Sequence, residues 1–399
     1  MNPGRHPVPN GWSEGLLDSL TERGSGHTPN RKNASYWNGG VKWVSLVDSD
    51  KLDRPKITMT EFEISDEGIR NSSAVRHPAG TVIMSRDAGV GKSSILGAEM
   101  AVSQHFIAWR CSDDLENRFL YYWLQFHKGF FERMAVGSTI KTIGLPLFRK
   151  LRITSPDSKF EQVRIAEILE TWDRSIESLT DLIAAKSDRK RSFMQQLLSG
   201  EKRLPGFTDE WQEVRLGDFL TESRVSGSTG DTARKLTVRW YGNGVVPKKD
   251  ALAVGSQNTR YYRRKGGQLI YSKLDLIRGA VAILPSEYDG WETTLDLPAF
   301  DISDAVAPAW LSQLVSWPNF TRKFKDFEQG GRKAARIAPR DFRRVFVAVP
   351  PIEEQRRIAE ILNSCDREIA LHRRQLAAIR DQKRGLMQKL LTGEVRVKV

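Results

Sequence analysis

Two cysteines, Cys111 and Cys365, are the only sulfhydryls in 399 residues, and they lie far apart in the sequence. That excludes a disulfide-stapled scaffold and leads us to expect a reducing compartment, the cytoplasm. No apolar run approaches the ~18 residues a membrane-spanning helix needs, so no membrane partner is expected. The first twenty residues lack the apolar stretch of a secretory signal. Six histidines (6, 27, 77, 105, 127 and 372) and the two cysteines show no metal-ligand spacing, so neither metal nor cofactor is expected. Acidic charge is the minority: 49 Asp and Glu face 62 Lys and Arg, a net charge of +13. Such a balance suggests an acidic partner, of which nucleic acid is the commonest.

Catalytic signatures are scarce as well. Asp87-Ala88-Gly89-Val90-Gly91-Lys92-Ser93 has the end of a phosphate loop, but its opening glycine would fall at position 86, which is Arg86. A tight or DNA-touching turn is the better reading. Pro350-Pro351 invites comparison with the motif of adenine methyltransferases, yet Val349 precedes it and Ile352 follows, so the polar side chain that would hold a target amine is missing. Cys111 reads as a core thiol rather than a nucleophile. No convincing nuclease carboxylate cluster is visible, and the chain is read as non-catalytic.

What is present is a duplication. Residues 161–203 and 354–396 align without a gap at an offset of 193, with 23 identities over 43 positions. In the first copy Ile165, Ile168, Leu169, Trp172, Ile176, Leu179, Leu182, Ile183, Met194, Leu197 and Leu198 recur at steps of three and four; the second repeats the pattern from Ile358 to Leu391. This predicts one apolar stripe on a long helix, closed by Gly200 in one copy and Gly393 in the other. A lone striped helix is unstable in water. The second copy is the favoured partner, with packing on a neighbouring domain or on another molecule as the alternatives. The exposed charges at the head of each copy, Arg164 and Glu167, then Arg357 and Glu360, are candidates for docking partner proteins.

Each helix follows a segment of about 150 residues, and both segments open alike, on Trp12-Ser13-Glu14 and Trp211-Gln212-Glu213. The expected plan is a recognition domain at 1–157, a helix at 158–202, a second domain at 203–352 and a second helix at 353–399. Strand-like runs at Lys42–Val47, Thr81–Met84 and Gln268–Tyr271, with helices near Asn117–Lys128 and in part of Pro308–Phe327, make both domains mixed. The predicted class is therefore α+β: two mixed α/β domains separated by two long duplicated helices. Arg260, Tyr261, Tyr262, Arg263 and Arg264 interleave cations and aromatic rings, as phosphate and base contacts require, and Arg332 and Lys333 lie in a second basic cluster. Arg31, Lys32 and Tyr36 form a weaker version in the first domain.

The chain resembles the specificity (S) subunits of type I restriction-modification systems over nearly its whole length. The resemblance rests on Ser25-Gly26-His27-Thr28-Pro29, Tyr36-Trp37-Asn38-Gly39-Gly40, Trp43-Val44-Ser45, Ser85-Arg86 with Gly91-Lys92, and Gly137-Ser138-Thr139-Ile140-Lys141. It rests most on the Glu-Gln-x-Arg-Ile-Ala-Glu-Ile-Leu opening and Leu-Leu-x-Gly-Glu closing of each helix. Gly267 to Leu274, including Lys273, mark the second domain as a different class of recognition domain. The resemblance implies two target recognition domains, each reading half of a bipartite, asymmetric site in double-stranded DNA. It implies an antiparallel coiled coil with pseudo-twofold symmetry that sets the spacer, two modification subunits that methylate adenine, and two restriction subunits. It adds Arg86, Lys92, Lys141 and Lys273 to the expected DNA contacts. Alternatives are the specificity subunit of a modification-only or type II-like system, or a coiled-coil scaffold that binds DNA without sequence preference.

Overall fold

The structure is a computed structural model that describes residue 3 and residues 7–249, 258–327 and 336–398. The chain divides into two compact units: residues 1–181 with 373–399, and residues 182–372. Two helices of 40 residues each, Lys159–Leu198 and Ile352–Leu391, give one half of their length to each unit. At ~1.5 Å per residue each is about 60 Å long.

In the first unit a strand at Trp12–Leu16 pairs antiparallel with Arg152–Pro156 at the domain's exit, and the chain then enters the long helix. Between these ends lies a five-stranded sheet ordered Thr21–Ser25, Phe106–Cys111, Val82–Ser85, Ser93–Leu96, Lys56–Ile57. A four-stranded sheet is ordered Phe62–Ile64, Trp37–Val44, Met100–Val102, Arg76–His77. The predicted helix near 117 forms at Asn117–Phe126 and buries six consecutive residues, Phe119 to Leu124. Gly26, from the motif at the start of this domain, admits no side chain: a Cβ there would fall 1.6 Å from the Val102 carbonyl oxygen. The predicted strand at 42–47 starts earlier and ends at Val44, because Ser45 and Asp48 close a capping box on the 3-10 turn Leu46–Asp50.

The second unit repeats the framing pair, Gln212–Arg215 against Phe346–Val349, but not the interior. Its strands form a four-stranded sheet, Leu220–Ser223, Ala299–Ile302, Leu269–Tyr271, Val281–Ile283. A three-stranded sheet comprises Ser226–Thr229, Arg260–Arg263 and Glu292–Thr293, and Leu236–Val238 pairs with Val245–Pro247 as a hairpin. Tyr271, Phe300, Phe324 and Phe342 stack at its centre, with Tyr271 and Phe324 4.4 and 5.1 Å from the Phe342 ring. The helix expected within Pro308–Phe327 breaks at Pro318 into Pro308–Ser316 and Pro318–Arg322.

Within each unit the two half-helices run antiparallel, and the duplicated residues make duplicated contacts. In the first unit Glu161 meets Arg396 at 2.6 Å and Asp173 meets Lys383 at 2.5 Å. In the second, the equivalent residues Glu354 and Arg203 meet at 2.8 Å, and Asp366 and Lys190 at 2.7 Å. Ile165, Leu169, Met387, Leu390 and Leu391 are buried together in one unit, and their counterparts Ile358, Leu362, Met194, Leu197 and Leu198 in the other. The stripe is buried at its ends and looser in its middle, where Leu182 is exposed rather than packed. Gly200 and Gly393 take left-handed φ values of +76° and +70°, ending each helix against Trp211 and Trp12 respectively.

Candidate nucleic-acid interface

The tie between helix and domain is the same in both units. Gln162, 1% exposed, donates from Nε2 to the carbonyls of Asp114 (3.0 Å) and Pro156 (2.9 Å), and its Oε1 accepts from the Glu116 N–H (2.8 Å). Gln355, its copy, donates to Ala305 (3.2 Å) and Pro350 (2.8 Å) and accepts from the Ala307 N–H (2.8 Å). Beside them, buried Glu354 takes Arg203 bidentately, both bonds at 2.8 Å, and the Trp211 Nε1–H at 3.0 Å. These residues set each domain on its helices. In the sequence Glu161, Gln162, Glu354 and Gln355 stand only as part of the repeat; their identity in both copies is the available signal.

In the first domain Arg31 and Lys32 are exposed, and Tyr36 is half-buried next to them. Arg31 lines an open cleft of about 290 Å³ with Trp37, Asn38 and Phe62. Trp37 rests edge-on against buried Trp43 at 5.3 Å, and Trp43 Nε1 donates to the His27 carbonyl at 3.1 Å. The motif residues at 25–29, 36–40 and 43–45 are thus one local cluster. Lys141 is exposed on a loop with Val136 and Ile140, 77% and 59% exposed, and lines a second cleft of about 430 Å³ with Gly89 and Glu132. Arg86 is half-buried against Asp87, whose carboxylate also meets His105 Nδ1 at 2.8 Å.

Lys92 is half-buried, and its Nζ donates to the Ser49 carbonyl at 2.9 Å. The loop 87–93 joins two antiparallel strands, Val82–Ser85 and Ser93–Leu96, where a phosphate loop would lead into a helix. Arg264 is 1% exposed. Its Nε donates to Thr293 Oγ1 (2.7 Å), Nη1 to the Ser223 carbonyl (2.9 Å) and Nη2 to the Leu297 carbonyl (3.2 Å). Burial lowers its pKa to about 10. It is a core residue and leaves the contact set. Along the strand Arg260–Arg263 the two ends, Arg260 and Arg263, are exposed and Tyr261 and Tyr262 half-buried, while Arg264 follows the strand and turns inward.

Tyr261 carries the Lys235 ammonium 5.9 Å from its ring centre. Lys273 is half-buried, and its backbone holds Asp296 and Ile337. Arg332 and Lys333 lie outside the described residues. Arg164 pairs with Glu167 at 2.7 Å one turn along its helix, and Arg357 pairs with Glu360 in the same way, so each copy shows an equivalent charged patch. Cys111 is half-buried in the first core, which pushes its thiol pKa up to about 12, far from a nucleophile's. Among the described residues no group of three or more His, Cys, Asp or Glu could hold a metal, and no helix is long and apolar enough to cross a membrane.

Residues 9–185 match the family model described as the type I restriction modification DNA specificity domain. Among curated proteins, the type I restriction enzyme MjaIX specificity subunit of Methanocaldococcus jannaschii is 22% identical over 256 residues, 60% of this chain and 57% of that protein. The MjaVIII specificity subunit of the same organism is 22% identical over 336 residues, 77% of this chain and 76% of that one. Among solved structures, the type I restriction-modification S subunit from M. genitalium has a TM-score of 0.58 at 14% identity, covering 96% of this chain and 97% of that one. A chain solved in work on complex assembly and conformational transition of the type I R-M system reaches a TM-score of 0.63 at 17% identity, covering 98% of this chain and 100% of that one. Residues 9–185 are thus similar to the type I restriction modification DNA specificity domain, and the described fold is similar to that of the solved S subunit from M. genitalium.

Proposed function

We propose that the chain reads DNA sequence for a type I restriction-modification complex and carries no chemistry of its own. The observation behind this is one clasp used twice to hold unlike domains: Gln162 and Gln355 make matching bonds beneath sheets of different strand order. Two different readers on a single chain specify an asymmetric bipartite site, which a homodimer cannot do. Because they are covalently joined, the second half-site is bound intramolecularly, and two weak grips make a tight one. Exposed arginines at 31, 260 and 263 supply phosphate neutralisation. Methylation of adenine, and cleavage, come from partner subunits; two modification subunits on the equivalent Arg164–Glu167 and Arg357–Glu360 patches fit the twofold repeat, with two restriction subunits joining them. On this reading the recognition domains are residues 1–157 and 203–352.

The test is to co-express the chain with its modification partner and map adenine methylation across the host genome. Replacing residues 1–157 with another member's first domain is expected to change one half of the methylated sequence and leave the other intact. Change in both halves, or in neither, would overturn the modular reading. Methylation without any consensus would favour a scaffold that lacks sequence preference.

A further inference from the structure

In the second unit the turn Arg239–Gly244 joins the paired strands Leu236–Val238 and Val245–Pro247, and it holds two large rings out in solvent. Trp240 is 43% exposed and Tyr241 78%, their rings meeting edge-on at 6.3 Å and 88°. The tip is built to stay in place. Tyr241 sits at φ +58°, a left-handed conformation that a bulky side chain adopts only where its surroundings impose it. What imposes it is the turn at 275–279. Tyr241 N–H donates to the Arg278 carbonyl at 2.7 Å, and Gly242 N–H to the Gly279 carbonyl at 3.0 Å. Gly279, at φ +78°, lets the two turns approach closely, since a Cβ there would lie 3.2 Å from both the Tyr241 nitrogen and its Cα.

Charge surrounds the rings. The Arg278 guanidinium lies 4.5 Å from the Trp240 ring centre, which fixes a cation against the apolar face. Arg239, on the same turn, is exposed, and the acid on the neighbouring turn, Asp275, pairs with Arg278 at 3.6 Å. A rigid aromatic pair with polar tips and a cationic surround has the features of a binding hot spot rather than of ordinary surface. Its complement must offer flat or methyl-bearing apolar edges flanked by repeated negative charge. The groove of duplex DNA does so, with base edges and thymine methyls on its floor and phosphates along its walls.

We propose that Trp240 and Tyr241, with Arg239 and Arg278 beside them, form the groove-entering element of the second domain and discriminate bases in its half of the site. This rests on the DNA-recognition reading. The test is selection from a pool of randomised duplexes by the full-length chain, followed by affinity measurements on the enriched sequence. Two variants are compared with wild type, Trp240→Ala and Tyr241→Gly. Glycine suits the left-handed backbone at 241, so the second variant removes the ring and leaves the thermal midpoint unchanged or higher. Each variant is expected to blur one block of the consensus and keep the other, and to weaken binding to the wild-type duplex about 10-fold, with binding to scrambled duplex changed less than about 2-fold. An unchanged consensus and affinity in Tyr241→Gly would overturn the inference alone, as would loss of a co-purifying protein with DNA selection intact. If wild type enriches no consensus, the DNA-recognition reading falls, and the inference with it.

Discussion

Replacing Gln355 with leucine is expected to lower the unfolding free energy of the unit built on residues 182–372 by about 3 kcal/mol. Leucine has a similar size and fits the apolar surroundings, so little is lost in packing. The cost lies in the groups that Gln355 serves. Pro350 and Ala307 are buried, and their carbonyl and N–H lose their partners at about 1–3 kcal/mol each, whereas Ala305 is exposed and turns to water. Gln162→Leu is expected to destabilise the other unit somewhat less, since of its partners Pro156 is buried, Glu116 half-buried and Asp114 exposed. Urea denaturation followed by circular dichroism would show the shift in midpoint for each variant. A change below about 1 kcal/mol for Gln355→Leu would mean that the clasp is dispensable and that the apolar ends of the helices hold the domains without it.

These glutamines show what a sequence can and cannot disclose. The helices were legible because their signal is periodic and repeated: Ile165, Leu169, Met194 and Leu198 each have a counterpart 193 residues on, and burial follows. The fact that Gln162 and Gln355 are identical was equally visible, but its cause was not. Besides the nearby carbonyls of Pro156 and Pro350, their partners are backbone groups at Asp114, Glu116, Ala305 and Ala307, about 50 residues away in domains whose side chains no longer match. Backbone leaves no residue-type signature. The sheets were illegible for a related reason. Strands such as Lys56–Ile57 and Arg76–His77 are two residues long and earn their place through neighbours distant in the chain. The tip at Trp240–Tyr241 carried a local sign, since Tyr241-Gly242-Asn243-Gly244 is a turn signature next to a tryptophan.

Side-chain direction decides the fate of adjacent arginines, and Arg263 and Arg264 make that testable. Composition treats them alike. In the fold, Arg263 ends an exposed strand face, while Arg264 ties the strand Leu220–Ser223 and the segment 293–297 together through three bonds in the interior. Arg264→Ala is expected to cost about 3–5 kcal/mol, because two backbone carbonyls and the Thr293 hydroxyl lose a charged donor and a cavity replaces the guanidinium. Arg263→Ala is expected to stay within about 0.5 kcal/mol of wild type in stability. Its effect falls on binding: if Arg263 neutralises one phosphate, the slope of log affinity against log salt concentration becomes shallower by about 0.9. The two variants should therefore separate, one moving the denaturation midpoint and the other the salt dependence. If Arg264→Ala kept its stability and lost salt dependence, the guanidinium would be facing DNA after all, and the inward turn after Arg263 would be wrong.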